Sequence, residues 1–252
     1  MMSTVKSELR KLLSVRSTLF MIVVAFLLTS GLIAFWIYGF KNAESVDIGG
    51  GHNPGGLLHS IYASVAVMGV IFSIITVLSV GHEYRYNTIM YSLTNTNRRT
   101  KVFFAKFAVL ALFALAVGTV LGVLSVVAFY AGLNVGNINA VAQHIPVADV
   151  LWRTVAYILG SVTFGFILAV IIRSLIGAIV TVMIVPSTIE GLLSLLLKDN
   201  TKFLPYTALN SLVSTEETIG RATSTFSLGI VCAYAAVFGL VAYILFLRRD
   251  AN

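Results

Sequence analysis

The sequence predicts an all-α polytopic membrane protein: six transmembrane helices, an N-terminal amphipathic elbow helix and a short cytoplasmic helix. Three observations carry this. Of 252 residues, 58% are hydrophobic and 11% are charged, whereas an ordinary soluble domain carries about 25% charged residues. Mean hydropathy is +0.94. Apolar runs of roughly 20 residues, enough to cross a ~30 Å hydrocarbon core, recur along the whole chain. A soluble enzyme, a disordered regulator and a disulfide-built secreted scaffold do not fit this composition. The lone cysteine, Cys232, rules out an internal disulfide and a Cys zinc cluster and reads as a small buried hydrophobe.

Residues 1–252 read as one transmembrane domain. Around residues 3–16, Val5, Leu9, Leu12 and Leu13 share one helical face, with Lys6, Glu8, Arg10 and Lys11 mostly elsewhere. That pattern predicts a helix lying in the headgroup plane, as an anchor or as a lever on the first span. The spans fall at about 17–38, 57–80, 103–130, 152–172, 175–197 and 226–247. The first is too long for the 7–15-residue apolar region of a signal peptide and reads as a retained helix. The fourth and fifth come from one apolar block, Trp152 to Leu197, which as a single helix would be more than twice too long for a bilayer. Arg173-Ser174 is the strong polar break in its middle, so the chain folds back there.

Orientation follows the distribution of Lys and Arg. With the N-terminus in the cytoplasm, inner segments hold 12 basic and three acidic residues, net +9; outer segments hold five basic and seven acidic, net −2. These sum to the net charge of +7. Both termini are then cytoplasmic, and the basic pI reflects topology and anionic lipid rather than nucleic acid.

After the second span comes an amphipathic stretch. Tyr86, Ile89, Met90 and Leu93 form one face; Arg85, Thr88 and Ser92 form another. It predicts a short cytoplasmic helix from Glu83 to Leu93, broken by Thr94–Asn97, with Asn97 an N-cap for the helix starting at Arg98. A docking surface for a cytoplasmic partner fits this pattern. Outside, Gly39–Gly56 and Leu133–Val150 read as loops, and Lys198–Thr225 as a longer segment with short interfacial helices.

No phosphate-binding GxxxxGK[ST], HExxH or GxSxG motif occurs, and His52, His59, His82 and His144 are scattered. The sequence therefore encodes no P-loop ATPase, its histidine spacing does not predict a shared metal site, and no nucleotide-binding or hydrolytic motif points to an enzyme. The centres of the first three spans and the sixth carry no ionisable residue, unlike a proton-relay carrier. Glu190 follows Pro186, which is expected to kink or end the fifth helix. Glu190 reads either as an interfacial or helix-capping carboxylate or as part of a gate. Gly118 and Gly122 form a GxxxG suited to close helix contact. Ser64, Ser73, Thr76 and Ser79, with Thr181, Ser187 and Thr188, line a weakly polar path or make interhelical hydrogen bonds.

Glu83-Tyr84-Arg85-Tyr86-Asn87-Thr88-Ile89, then Asn97-Arg98-Arg99 and Lys106, resembles the signature after the second helix of ABC-2 type transporter permeases. Ser7-Glu8-Leu9-Arg10-Lys11-Leu12 with Val15-Arg16-Ser17 resembles that family's elbow. Ile172-Arg173-Ser174 with Gly177-Ala178, and Pro186-Ser187-Thr188-Ile189-Glu190 with Leu204-Pro205, resemble its helix 4–5 turn and the end of helix 5. Asn87 and Asn97 stand where the family has glycine and proline. The resemblance implies a half-transporter that pairs with a second copy or a paralogue and docks on cytoplasmic ATPase subunits carrying ATP and Mg. Glu83, Tyr84, Arg85, Tyr86, Thr88, Ile89, Leu93, Arg98 and Arg99 would be the coupling residues, aided by Glu8, Arg10 and Lys11. Helices two and five would line the path, with Ser73, Thr76, Thr181, Pro186 and Glu190 as candidates. The implied activity is export of an amphiphilic or hydrophobic substrate (a peptide, antibiotic or lipid-like molecule) across the cell membrane, without covalent chemistry. The competing readings are a secondary carrier or channel acting alone and a membrane immunity or assembly factor that transports nothing.

Overall fold

Six helices are long and apolar enough to cross a membrane, and the described residues contain no strand, so the protein is an all-α polytopic membrane protein. The computed structural model describes residues 7–10, 16–41, 54–86, 99–135, 147–214 and 224–248. After a helical turn at residues 7–10 come α1 (Arg16–Lys41), α2 (Pro54–Arg85), α3 (Arg99–Val135) and α4 (Val147–Ile172). The fifth span is composite: α5 (Leu175–Ile184), a wide π turn (Val185–Ile189) and α6 (Glu190–Leu197). A 3-10 turn (Lys198–Phe203) leads to α7 (Pro205–Leu212), and α8 (Ser224–Arg248) is the sixth span.

The central helix is α4. In its most apolar stretch 67% of residues are buried, against 17% for α1 and α8. Small residues allow this position. Gly118 and Gly122 of α3 face Val155 and Leu151 of α4, and a Cβ at Gly118 would lie 3.1 Å from the Val155 Cα. The GxxxG therefore serves helix contact within this chain. At Gly165 a Cβ would meet the Ser73 carbonyl oxygen of α2 at 2.8 Å. The core is filled from these three helices by Tyr62, Phe72, Leu121, Ile158 and Phe166, among others.

The peripheral helices leave large apolar side chains exposed, including Phe20 and Leu27 on α1, Ile176 on α5 and Val237 and Leu240 on α8. Lipid tails are as apolar as leucine, so such faces need no protein cover. Cys232 belongs to this group: it is exposed on α8, not buried as its apolar surroundings suggest. An apolar sequence neighbourhood marks the core in water, but in a bilayer it marks the lipid face equally well.

The fold-back at Arg173-Ser174 is present. Arg173 adopts a positive φ of 56°, and Ser174 caps α5, its Oγ accepting from Gly177 N at 3.3 Å. Several helices outrun their apolar cores. α2 begins at Pro54, a residue suited to a first helical turn, and continues to Arg85 without a break at Gly81. Gly81 instead lets Leu175 approach; a Cβ there would lie 2.7 Å from Leu175 Cδ1. Glu83, Tyr84 and Arg85, read as the start of a separate cytoplasmic helix, are thus the last turn of α2. Likewise α3 takes in Leu133–Val135, and α4 starts at Val147. Pro186 does not end the fifth span. Its missing N–H is absorbed by the π turn, which closes where Glu190 N donates to Val185 O.

Candidate functional site

Two polar groupings stand out, one at the end of the bundle that carries residues 7–10 and the last turn of α8, the other at mid-depth. At the first, Lys106 near the start of α3 donates to Glu8 Oε2 at 2.7 Å and Glu83 Oε1 at 2.6 Å. All three side chains are buried. A buried ammonium between two carboxylates is tolerated because charge-assisted bonds replace its lost hydration. The result ties the residue 7–10 turn, α2 and α3 together. Beside it, the Arg173 guanidinium lies 5.5 Å from the centre of the Tyr84 ring, linking the α4–α5 turn to the end of α2. Arg99 Nη1 donates to the Leu247 carbonyl at 3.0 Å, linking α3 to α8.

The sequence-derived coupling residues therefore divide. Glu83 is buried in this junction, whereas Arg85 and Tyr86 are exposed, with Arg85 5.7 Å from the Tyr86 ring centre. Arg10 is exposed. Lys11, Thr88, Ile89, Leu93 and Arg98, the remaining apolar elbow residues Val5, Leu12 and Leu13, and the Met90 and Asn97 positions lie outside the described residues. Lys106 was legible as part of the motif, but its place at the centre of the junction was not.

Beyond the π turn, Glu190 is buried and fully engaged. Its carboxylate accepts from Tyr206 N at 2.8 Å, Thr207 N at 2.7 Å and Thr207 Oγ1 at 2.8 Å. Leu204, the residue in the N-cap position of α7, offers no side-chain acceptor, so Glu190 caps α7 from 16 residues upstream. Of its two readings, the capping one describes this geometry. α7 dips inward: a Cβ at Gly160, mid-way along α4, would lie 2.5 Å from Leu209 Cδ1. A helix N-terminus carried to such depth needs acceptors supplied by protein, and Glu190 supplies them.

α7 borders the second grouping, a partly open cleft of about 250 Å³ between α2, α4, the fifth span and α7. Its polar lining comes from Ser73, Ser161, Tyr157, Tyr206 and Asn210. Ser73 Oγ donates across to Ser161 O at 2.7 Å, and Tyr157 Oη reaches Ala66 O at 3.0 Å and Asn210 Oδ1 at 3.3 Å. Ser73 and Pro186, both path candidates in the sequence, line the cleft, and Ser73 also makes the interhelical hydrogen bond that was its other reading. Thr76 and Thr181 donate to carbonyls of their own helices, Phe72 O and Gly177 O. Tyr157 and Ser161 were missed, although their spacing of four places them on one helical face. Tyr206 and Asn210 carried no signal, because nothing in the sequence says that α7 turns inward.

No protein-family model matches the chain, and no curated protein matches it significantly.

Proposed function

We propose that the chain is the permease subunit of an ATP-driven transporter of the ABC-2 type, exporting an amphiphilic or hydrophobic substrate under the drive of a separate ATPase. It works as a pair, with itself or a paralogue, in the cell membrane with both termini in the cytoplasm. The observation that carries this reading is the Glu8–Lys106–Glu83 junction. It clamps the elbow segment, the end of α2 and the start of α3, three stretches whose residues resemble the family pattern. Motion delivered to the exposed Arg85–Tyr86 surface would pass through buried charge pairs into α2, which lines the mid-depth cleft. On this reading ATP and Mg would bind the partner ATPase, since the sequence has no GxxxxGK[ST] phosphate-binding loop.

The test separates docking from folding. Glu83 substitutions disturb a buried ion group, so Arg85 is the cleaner probe. Arg85→Glu is expected to lower permease-stimulated ATP turnover by about tenfold or more, the loss of roughly 1.4 kcal/mol or more from a charged contact, with the purified permease unchanged in thermal unfolding. If co-purification captures no ATPase and ATP turnover by candidate partners is indifferent to this protein, the reading falls.

A further inference from the structure

The cleft sits near the middle of the bundle. Ser73 is 12 residues from the end of α2, Ser161 is 11 from the end of α4, and Pro186 is 11 from the start of α5. At about 1.5 Å per residue these lie roughly 17 Å from the junction end, near the centre of a ~30 Å hydrocarbon core. Its residues include no Asp, Glu, Lys, Arg or His, and the nearby Glu190 carboxylate is spent on α7. The lining is mainly apolar, with Ala66, Val67, Val70 and Val182. Two features depart from a plain packing defect. The Ser73, Ser161 and Tyr157 hydroxyls already donate to protein, leaving their oxygens as acceptors. The Tyr206 hydroxyl is buried and finds no hydrogen-bond partner among the described residues. An orphaned hydroxyl at this depth costs free energy unless something enters to pair with it. An ordinary phenol is protonated at pH 8, so Tyr206 offers a donor.

We infer that this cleft is a binding site for a neutral amphiphile, one with an alkyl or similarly apolar body and an uncharged hydroxyl- or carbonyl-type head that pairs with Tyr206. As a statement about cargo it rests on the permease reading; as a statement about binding it does not. The selectivity is electrostatic. An ionised head brought here would shed its hydration and meet no counter-charge, so charged analogues of the same chain length are rejected. About 250 Å³ holds a single short chain and not a folded peptide.

The full chain alone, in lipid nanodiscs without an ATPase, is photolabelled with a diazirine-bearing decanol and with the matching decanoic acid at pH 8. Labelled peptides are mapped by mass spectrometry. The alcohol is expected to label residues 66–73 and 182–186 saturably, with excess decanol competing, about tenfold or more better than the ionised acid. Val70→Trp fills the cleft and is expected to remove that labelling. Tyr206→Phe removes a hydroxyl with no partner among the described residues, so thermal unfolding is expected to be unchanged while half-saturation rises about 2- to 10-fold. Equal labelling by the acid overturns the inference. So does labelling spread over the lipid faces of α1 and α8, or half-saturation indifferent to Tyr206→Phe. Neutral-selective labelling together with no effect on any ATPase leaves the site standing and removes the permease reading.

Discussion

Lys106 concentrates the electrostatic stakes of the molecule in one side chain. Two carboxylates lean on its ammonium at 2.7 and 2.6 Å, all buried. Removing the cation leaves like charges facing each other without hydration, a cost of about 3–5 kcal/mol. Lys106→Met is therefore expected to lower the thermal unfolding temperature in detergent sharply. Adding Glu8→Gln and Glu83→Gln to it is expected to return most of the loss, because neutral groups no longer repel. A triple variant no more stable than Lys106→Met would mean that packing, not charge, holds this junction. Glu190 offers the contrast: its charge is met entirely by donors of one short helix, so it is a local cap where Lys106 is a link between elements.

Among the elements, close approach decides what the helices tolerate. At Gly165 a Cβ would strike backbone, the Ser73 carbonyl at 2.8 Å, which cannot rotate away. Gly165→Ala is expected to destabilise by about 1–3 kcal/mol through overpacking. At Gly191 nothing lies within 4 Å, so Gly191→Ala is expected to be neutral or stabilising by about 0.5–1 kcal/mol through helix propensity. Urea or heat titration of both variants checks the pair; equal effects would refute the packing of α2 on α4. The length of the apolar runs revealed the six spans, and the polar Arg173-Ser174 pair revealed the fold-back, since lipid punishes polar breaks that do not turn the chain. The same logic blurred the ends. Past the hydrocarbon core helices continue on amphipathic sequence, so α2 reached Arg85 without any compositional mark at Val80. The cleft was only half legible: Ser73 and Pro186 have polarity and geometry that flag them, but Tyr206 enters through the inward course of α7, set by a contact 16 residues away in sequence.

For the molecule as a whole, charge asymmetry and architecture meet at one face. The segments gathered at the junction end include Arg10, Arg85, Arg99, Lys106, Arg173 and Arg248 against Glu8 and Glu83, while Asp149, Glu190, Arg153 and Lys202 belong to the other half. If that basic face is cytoplasmic, single cysteines introduced at Arg10 and at Phe203 in a Cys232→Ala background report opposite sides. In sealed inverted vesicles a membrane-impermeant maleimide is expected to label position 10 and spare position 203; the reverse pattern inverts the topology and removes the proposed docking face from the ATPase side. The π turn at Val185–Ile189 sets one more whole-molecule constraint. It holds one residue more per turn than the helices it joins, so losing any one of its five positions would screw the remainder of that span round by about 100°. Glu190 would then swing off α7, and the exposed Leu192, Leu195 and Leu196 would be turned toward the protein. The wide turn thus acts as a phase-setter for the span, and length there is less negotiable than residue type.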